Sequence, residues 1–258
     1  GLAIAAAACM TGTRRSYAYQ LPDTTGMKDE ILCLKCHRDL YDQGMLLSGA
    51  HFVEIGVTSS AFLQQIEDRI TERTAAFFYT SEAETMRGSI PLPEIAALCR
   101  RFAVPLIVDA SQSAGILDLD FPRLGATFAA MPGHKGLLGP QGTGILLCRD
   151  AGMPLLSGGT GGDSRSHFMP ETLPERLEAG THNVCGIAGL REGIRYIRRR
   201  TTQRIYAEEE RLMRRLAARL NILPGLRVYY SDKNDQSGVL SVVPEKMSCD
   251  ALSERLGA

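Results

Sequence analysis

Two residues of opposite charge stand where apolar runs end. Asp109 directly follows the run Val104–Val108, and Lys135 lies in MPGHKG (Met131–Gly136), just past the run Ala126–Met131. A carboxylate at the end of a buried strand is partly desolvated, and its charge needs a cation to answer it. A protonated pyridine nitrogen is such a cation. Gln112, three residues on, would reach the same ligand with a neutral amide. A lysine among glycines has room around its amine, and an unprotonated amine forms an imine with an aldehyde. His134, its neighbour, offers two ring nitrogens for phosphate or proton handling. Taken singly, Asp109 also suits a helix N-cap, Lys135 a solvated surface and His134 a loop. Their shared place at strand ends turns the reading toward one bound ring.

The elements that must position them alternate. Ile31–Leu34, His51–Val57, Ala75–Thr80, Val104–Val108, Ala126–Met131 and Thr143–Cys148 read as strands. Asp39–Leu47 and Ala61–Ile70 read as helices between them, the second with Phe62, Leu63, Ile66 and Ile70 at helical spacing. Pro91 and Pro93 mark the start of a helix with Ile95, Leu98, Cys99 and Phe102 on one face. Pro132–Gly142 and Ser157–Pro170, the latter with Gly158, Gly159, Gly161 and Gly162, are loops. Two helices follow, marked by Ile187, Leu190, Ile194 and Ile197 and then by Ile205, Leu212, Leu216 and Leu220; Glu210 and Arg214 pair along the second. Leu226–Tyr230 and Val239–Val243 are strands, and Ala251–Leu256 begins a helix. The order predicts an α/β fold: a mixed, mostly parallel sheet flanked by helices, with the ligand outside the carboxyl ends of the strands. The expected division is a large domain over 1–183, connecting helices over 184–220 and the start of a small α+β domain over 221–258.

Three motifs, VDASQSAG (Val108–Gly115), GHKGLLGPQGTG (Gly133–Gly144) and EAGTHNVCGIAGL (Glu178–Leu190), resemble in order those of the class V aminotransferase superfamily of pyridoxal-phosphate enzymes. The cysteine desulfurase and selenocysteine lyase branch is the best match, over most of residues 28–258. The resemblance implies fold type I and pyridoxal 5'-phosphate as cofactor. It implies that Lys135 bonds the cofactor aldehyde, Asp109 keeps the pyridine nitrogen protonated, Gln112 bonds the phenolic oxygen and His134 holds the phosphate. His37, in KCHRD (Lys35–Asp39), matches the histidine stacked on the ring. Thr181 matches a threonine reaching the neighbouring subunit's phosphate, which implies a homodimer with shared active sites.

The chain also departs from that pattern. Pro132 replaces the usual Ser or Thr before the histidine, and no Asn occurs near Thr85, where one ordinarily contacts the phenolic oxygen. Gly1 reads as the start of a fragment, and Ala258 falls just before the family's substrate-binding arginine and desulfurase cysteine. None of the seven cysteines matches that nucleophile. LPDTTGMKDEILCLKCHRDLYDQGMLLSGAHFVEIG, within Leu2–Gly56, resembles instead the selenocysteine synthase and amino-sugar ammonia-lyase branch of the same fold.

Other chemistries fit less well. Cys33, Cys36 and His37 make a C-x-x-C-H pattern, but Cys33 falls inside a strand, where alternation buries it, and only three zinc ligands are local. No metal is expected. The Gly139–Gly144 and Gly158–Gly162 stretches lack the spacing of nucleotide loops. Lys plus Arg and Asp plus Glu are both 29, which disfavours a nucleic-acid binder; the run Arg198–Arg200 reads as a solvated helix face, with a tRNA contact as the alternative. No 18-residue apolar stretch exists, so a spanning helix is excluded. Seven irregularly spaced cysteines suggest thiols in the cytoplasm. The expected function is release of sulfur or selenium from a small amino acid such as cysteine, leaving alanine, with a possible sulfur-acceptor protein as partner. A β-eliminating enzyme or a catalytically silent relative is the alternative.

Overall fold

The computed structural model describes residues 1–149, 152–160, 166–231 and 238–257. Gly161 and Gly162 of the expected glycine loop lie outside these described residues. The chain divides into two compact units, Gly1–Gly115 with Leu119–Arg195, and Ile116–Asp118 with Tyr196–Ala258. By packing, the division therefore falls between Arg195 and Tyr196; the expected boundaries at 183/184 and 220/221 remain a proposal about functional parts.

The first unit runs α1 (Leu2–Thr11), α2 (Arg15–Gln20), β1 (Glu30–Leu34), α3 (Gln43–Leu46), β2 (His51–Ile55), α4 (Leu63–Glu67), β3 (Thr74–Thr80), α5 (Leu92–Arg101), β4 (Leu106–Asp109), α6 (Phe121–Leu124), β5 (Phe128–Pro132), β6 (Gly144–Cys148) and the greater part of α7 (Val184–Arg200). Six strands form one sheet in the order β2-β1-β3-β4-β5-β6, parallel except for β6. The mixed, mostly parallel α/β sheet is thus the one expected.

Strand alternation explains why both faces are covered. Leu32, Leu34, Phe77, Tyr79, Leu106 and Val108 point to one face, where they meet Ile95, Leu98 and Cys99 of α5. Their alternates Ile31, Cys33, Ala76, Phe78 and Ile107 point to the other, where they meet Ala5, Ala6 and Ala8 of α1. Cys33 is fully buried, as the alternation requires. Helix α1 is the element that periodicity misses. Its residues are apolar on every side, so no amphipathic stripe announces it, although alanine is the strongest helix former.

Three expectations need correction. The helix expected over Asp39–Leu47 is only Gln43–Leu46, because Asp39 Oδ1 accepts the Tyr41 and Asp42 N–H groups and holds 39–42 in a turn. The helix expected over Ala61–Ile70 is Leu63–Glu67, and Phe62 lies outside its face, exposed at the N-cap. Phe102 caps α5 after its last turn and is exposed, whereas Ile95, Leu98 and Cys99 are buried as expected.

The second unit contains α8 (Thr202–Leu220), β7 (Leu226–Tyr229), β8 (Ser241–Pro244) and α9 (Cys249–Leu256). β7 and β8 are antiparallel, α8 packs on β7, and α9 packs on β8. The Glu210–Arg214 pair forms along α8 at 2.6 Å. No described helix is long and apolar enough to cross a membrane.

Candidate active site

The parallel strands bring their C-terminal ends to one edge. β1 runs into a 3-10 turn at Lys35–His37, β3 into another at Ser81–Ala83, β4 ends on Asp109, and β5 leads to the loop carrying Lys135. Register fixes the neighbours: Thr80 lies opposite Asp109, and Asp109 opposite Ala130.

Asp109 is half-buried and held on both sides. Its Oδ1 accepts the Ser111 N–H at 2.8 Å, and its backbone carbonyl accepts the Ser81 hydroxyl at 2.8 Å. Ser81 and Ser113, both buried, are 2.5 Å apart at their hydroxyls, which ties the end of β3 to the turn after β4. Gln112 lies in that turn, exposed to solvent.

Lys135 is half-buried, and the loop around it is packed through glycines. Gly133 donates to the Thr143 carbonyl at 2.7 Å, and a Cβ there would lie 2.1 Å from Thr143 Oγ1. Gly139 donates to the Gly133 carbonyl at 2.7 Å and abuts Leu190 of α7. Across from the loop, Gly189 and Gly193 of α7 abut Pro140 and the Leu137 carbonyl. His134, beside the lysine, is exposed. Thr181 is exposed ahead of α7, and no described hydrogen bond links it to Asp109 or Lys135.

His37 lies at the same sheet edge but is sealed, at 2% exposure. The Thr80 N–H donates to its Nδ1 at 3.2 Å, which leaves Nε2–H to donate to Ser89 Oγ at 2.8 Å. Its ring meets Tyr79 edge-on at 4.4 Å between centroids. Burial pushes its pKa down to about 4, so the ring is neutral at physiological pH. In this placement both nitrogens hold β3 and its following loop.

Two features were missed in the sequence. The N-terminus of α1 reaches this edge: Gly1 lies against Ala130, which stands opposite Asp109 in the sheet. The other is Glu82, in the turn after β3. Its carboxyl is raised above the ordinary range, chiefly by desolvation; its own backbone N–H opposes this, Asp109 and Asp39 add to it, and Lys135 lowers it. The signal for Glu82 was available: applying the strand-end rule to Ala75–Thr80, as to Val104–Val108, lands beside it.

An open groove of about 780 Å³ runs along β6, walled by Gly1–Ile4, Ala130–Pro132, Leu173, Pro174 and Leu177; it meets the turn after Asp109 at Ser111, and neither Asp109 nor Lys135 lines it. The donor set fits pyridoxal phosphate: a half-buried carboxylate for a pyridinium, an amine for an aldehyde, and a helix N-terminus for a phosphate. The sheet order and the donor set are those of a fold type I domain that holds pyridoxal phosphate.

Comparison with known proteins agrees. The family described as Aminotransferase class-V matches residues 44–258. The chain is 34% identical over 183 residues to a probable cysteine desulfurase of Methanothermobacter thermautotrophicus, which covers 69% of this chain and 46% of that protein. The cysteine desulfurase of Thermococcus onnurineus NA1 superposes with a TM-score of 0.68 at 26% identity, over 89% of this chain and 60% of that one. D-glucosaminate-6-phosphate ammonia-lyase shares the fold at a TM-score of 0.58 and 20% identity, over 100% of this chain and 68% of that one. The chain belongs to the class V aminotransferase family of pyridoxal-phosphate-dependent enzymes. It spans about half the length, or less, of the curated cysteine desulfurases it matches.

Proposed function

We propose that this chain is the cofactor-binding core of a cysteine desulfurase or selenocysteine lyase type of enzyme, acting on a small amino acid. The observation that carries the reading is the convergence of Asp109 and Lys135 at adjacent strand ends, both within electrostatic reach of Glu82. Similarity to cysteine desulfurases in sequence and in fold supports the choice of reaction.

Lys135 would hold the cofactor at its aldehyde, Asp109 at its ring nitrogen, Gln112 at its phenolic oxygen and His134 at its phosphate. The first turn of α1 would add backbone N–H groups to the phosphate site. The cofactor supplies an electron sink for the charge left when a substrate α-proton departs. Once the substrate amine has released it, Lys135 Nζ takes and returns that proton. Asp109 sustains the sink through a charge-assisted contact made rigid by Ser81, Ser111 and Ser113. His37 is assigned here to holding the floor of the site in place of ring stacking, on the strength of its two hydrogen bonds and its burial.

The exposed Thr181 supports a homodimer in which that residue serves the partner's site. All seven cysteines are free, which supports a reducing, cytoplasmic setting. A separate sulfur-acceptor protein completes the proposal. The likeness to the ammonia-lyase fold favours β-elimination as the second reading.

The test is an absorbance spectrum of the purified protein supplied with pyridoxal phosphate, followed by assay of alanine and sulfide from cysteine. A lysine-bound cofactor band that Lys135→Ala abolishes is expected. The same spectrum in both proteins would overturn the cofactor reading. Ammonia release from amino-sugar or seryl substrates, without sulfide from cysteine, would transfer the assignment to the second reading.

A further inference from the structure

Resting on that reading, we infer that Glu82 is a catalytic acid–base residue of this site, accepting a proton from the incoming substrate ammonium and returning it to the departing Lys135 amine. Three observations carry this. First, placement: Thr80 is in register with Asp109, so the next two residues continue past the strand end on which Asp109 stands. Ser81 is fixed by its bonds to the Asp109 carbonyl and to Ser113, and Glu82 follows it in the same turn. Its position is therefore set by the same contacts that set Asp109.

Second, availability. Histidine is the usual proton carrier near neutral pH, but His37 has both ring nitrogens engaged and is 2% exposed. Glu82 keeps much of its surface in solvent while its carboxyl end is partly desolvated, and it forms no described hydrogen bond or ion pair with another residue. Asp39, the other carboxylate on that side, is committed to the N–H groups of Tyr41 and Asp42.

Third, charge. Besides its own backbone N–H, which holds the carboxylate form, the charged groups acting on Glu82 are Asp109 from β4, Lys135 from the loop after β5, and Asp39 from the turn after β1. Two anions and one cation make a net negative surround. It draws a substrate ammonium toward the carboxylate and strengthens the carboxylate's hold on a proton, in the direction a neutral-pH base needs. Desolvation acts in the same direction.

The proton balance is closed. An N–H bond of the substrate ammonium breaks, an O–H bond forms on Glu82, and the freed lone pair makes the amine a nucleophile. The freed amine would bond to the aldehyde carbon that Lys135 holds, the C–N bond to Lys135 would break, and Lys135 would leave with the proton that Glu82 returns, so no outside acid, base or oxidant is needed. Lys135 is then free to act on the α-proton.

The test compares Glu82→Gln and Glu82→Asp with the parent protein, each supplied with pyridoxal phosphate. Glu82→Gln is expected to lower kcat/KM for the amino acid about 100-fold or more and to remove the acidic limb of its pH profile. Glu82→Asp should retain the limb at reduced rate. A second readout needs no turnover. In the cofactor-free protein, the carboxyl-carbon resonance that Glu82→Gln removes should titrate above the ordinary glutamate range. An unchanged pH profile in Glu82→Gln, or a Glu82 carboxyl that titrates in the ordinary range, overturns the role of Glu82. Failure of the parent protein to form the lysine-bound band would instead overturn the cofactor reading on which the role rests.

Discussion

Replacing Gly193 by alanine tests whether the lysine loop is positioned by its packing on α7. A Cβ at Gly193 would lie 2.3 Å from the Leu137 carbonyl oxygen, 2.8 Å from that of Leu138 and 2.9 Å from the Leu138 carbonyl carbon. All three are backbone atoms, so no side chain can swing away. Ordinary van der Waals contact begins near 3.4 Å, so the loop must retreat by about 1 Å. Overpacking costs ~1–3 kcal/mol, and a rigid backbone neighbour belongs at the upper end. Alanine returns ~1 kcal/mol as the better helix former. The net expectation is a loss of ~2 kcal/mol. Gly44, in α3 with nothing within 4 Å of its Cβ position, is the control; Gly44→Ala should gain ~0.4–1 kcal/mol. Urea unfolding measures both. Because Lys135 lies two residues before Leu137, the same retreat displaces its amine, and a 1 Å error at a reacting group costs about 100-fold in rate. If Gly193→Ala is as stable as Gly44→Ala, the close contact is not what fixes the loop. If it loses stability while alanine release is unchanged, the loop does not govern the lysine.

Acid should weaken the fold through His37. Its unfolded value is the ordinary 6.5 and its folded value about 4, so between these the unfolded chain binds the extra proton and stability falls as pH drops. The loss amounts to roughly 3 kcal/mol across pH 6.5 to 4, and urea midpoints over that range should show a shallower slope in His37→Gln. Ser81→Ala removes bonds to the Asp109 carbonyl and to the buried Ser113 hydroxyl, and should cost ~1–3 kcal/mol in the same assay. Asp109→Asn keeps the turn but gives up the charge-assisted contact. It should keep the lysine-bound band while slowing alanine release about 10- to 100-fold; an unaltered rate would remove Asp109 from the site.

The sheet was legible because alternation is a local property. Val104–Val108 and Ala75–Thr80 are apolar on both faces, which only a strand covered on two sides requires. Asp109 and Lys135 stand out in the sequence because Asp109 ends one such run and Lys135 follows another among glycines. Helix α1 was not, since a helix buried all round carries no periodic stripe. The helix expected over Asp39–Leu47 failed for a different reason. Apolar spacing does not register that Asp39 captures two backbone N–H groups and diverts them from a helix. His37 matched a motif by type and spacing, but burial and partners depend on Thr80 and Ser89, which are 43 and 52 residues away. Glu82 carries no such mark, because the polar Thr80 and Ser81 separate it from the apolar part of its strand.

The alanines of α1 set a dimension. Ala5, Ala6 and Ala7 have no exposed surface, and Ala8 has 3%. A rod whose middle turns meet the sheet through the methyl groups of Ala5, Ala6 and Ala8, with Leu2 and Met10 on either side, lies close to it there, with little tolerance for growth. Enlarging any of these side chains would lift the whole rod, and the tip at Gly1 would travel with it. The smallest side chains in the protein therefore act as a gauge for the distance between the first turn of α1 and Asp109.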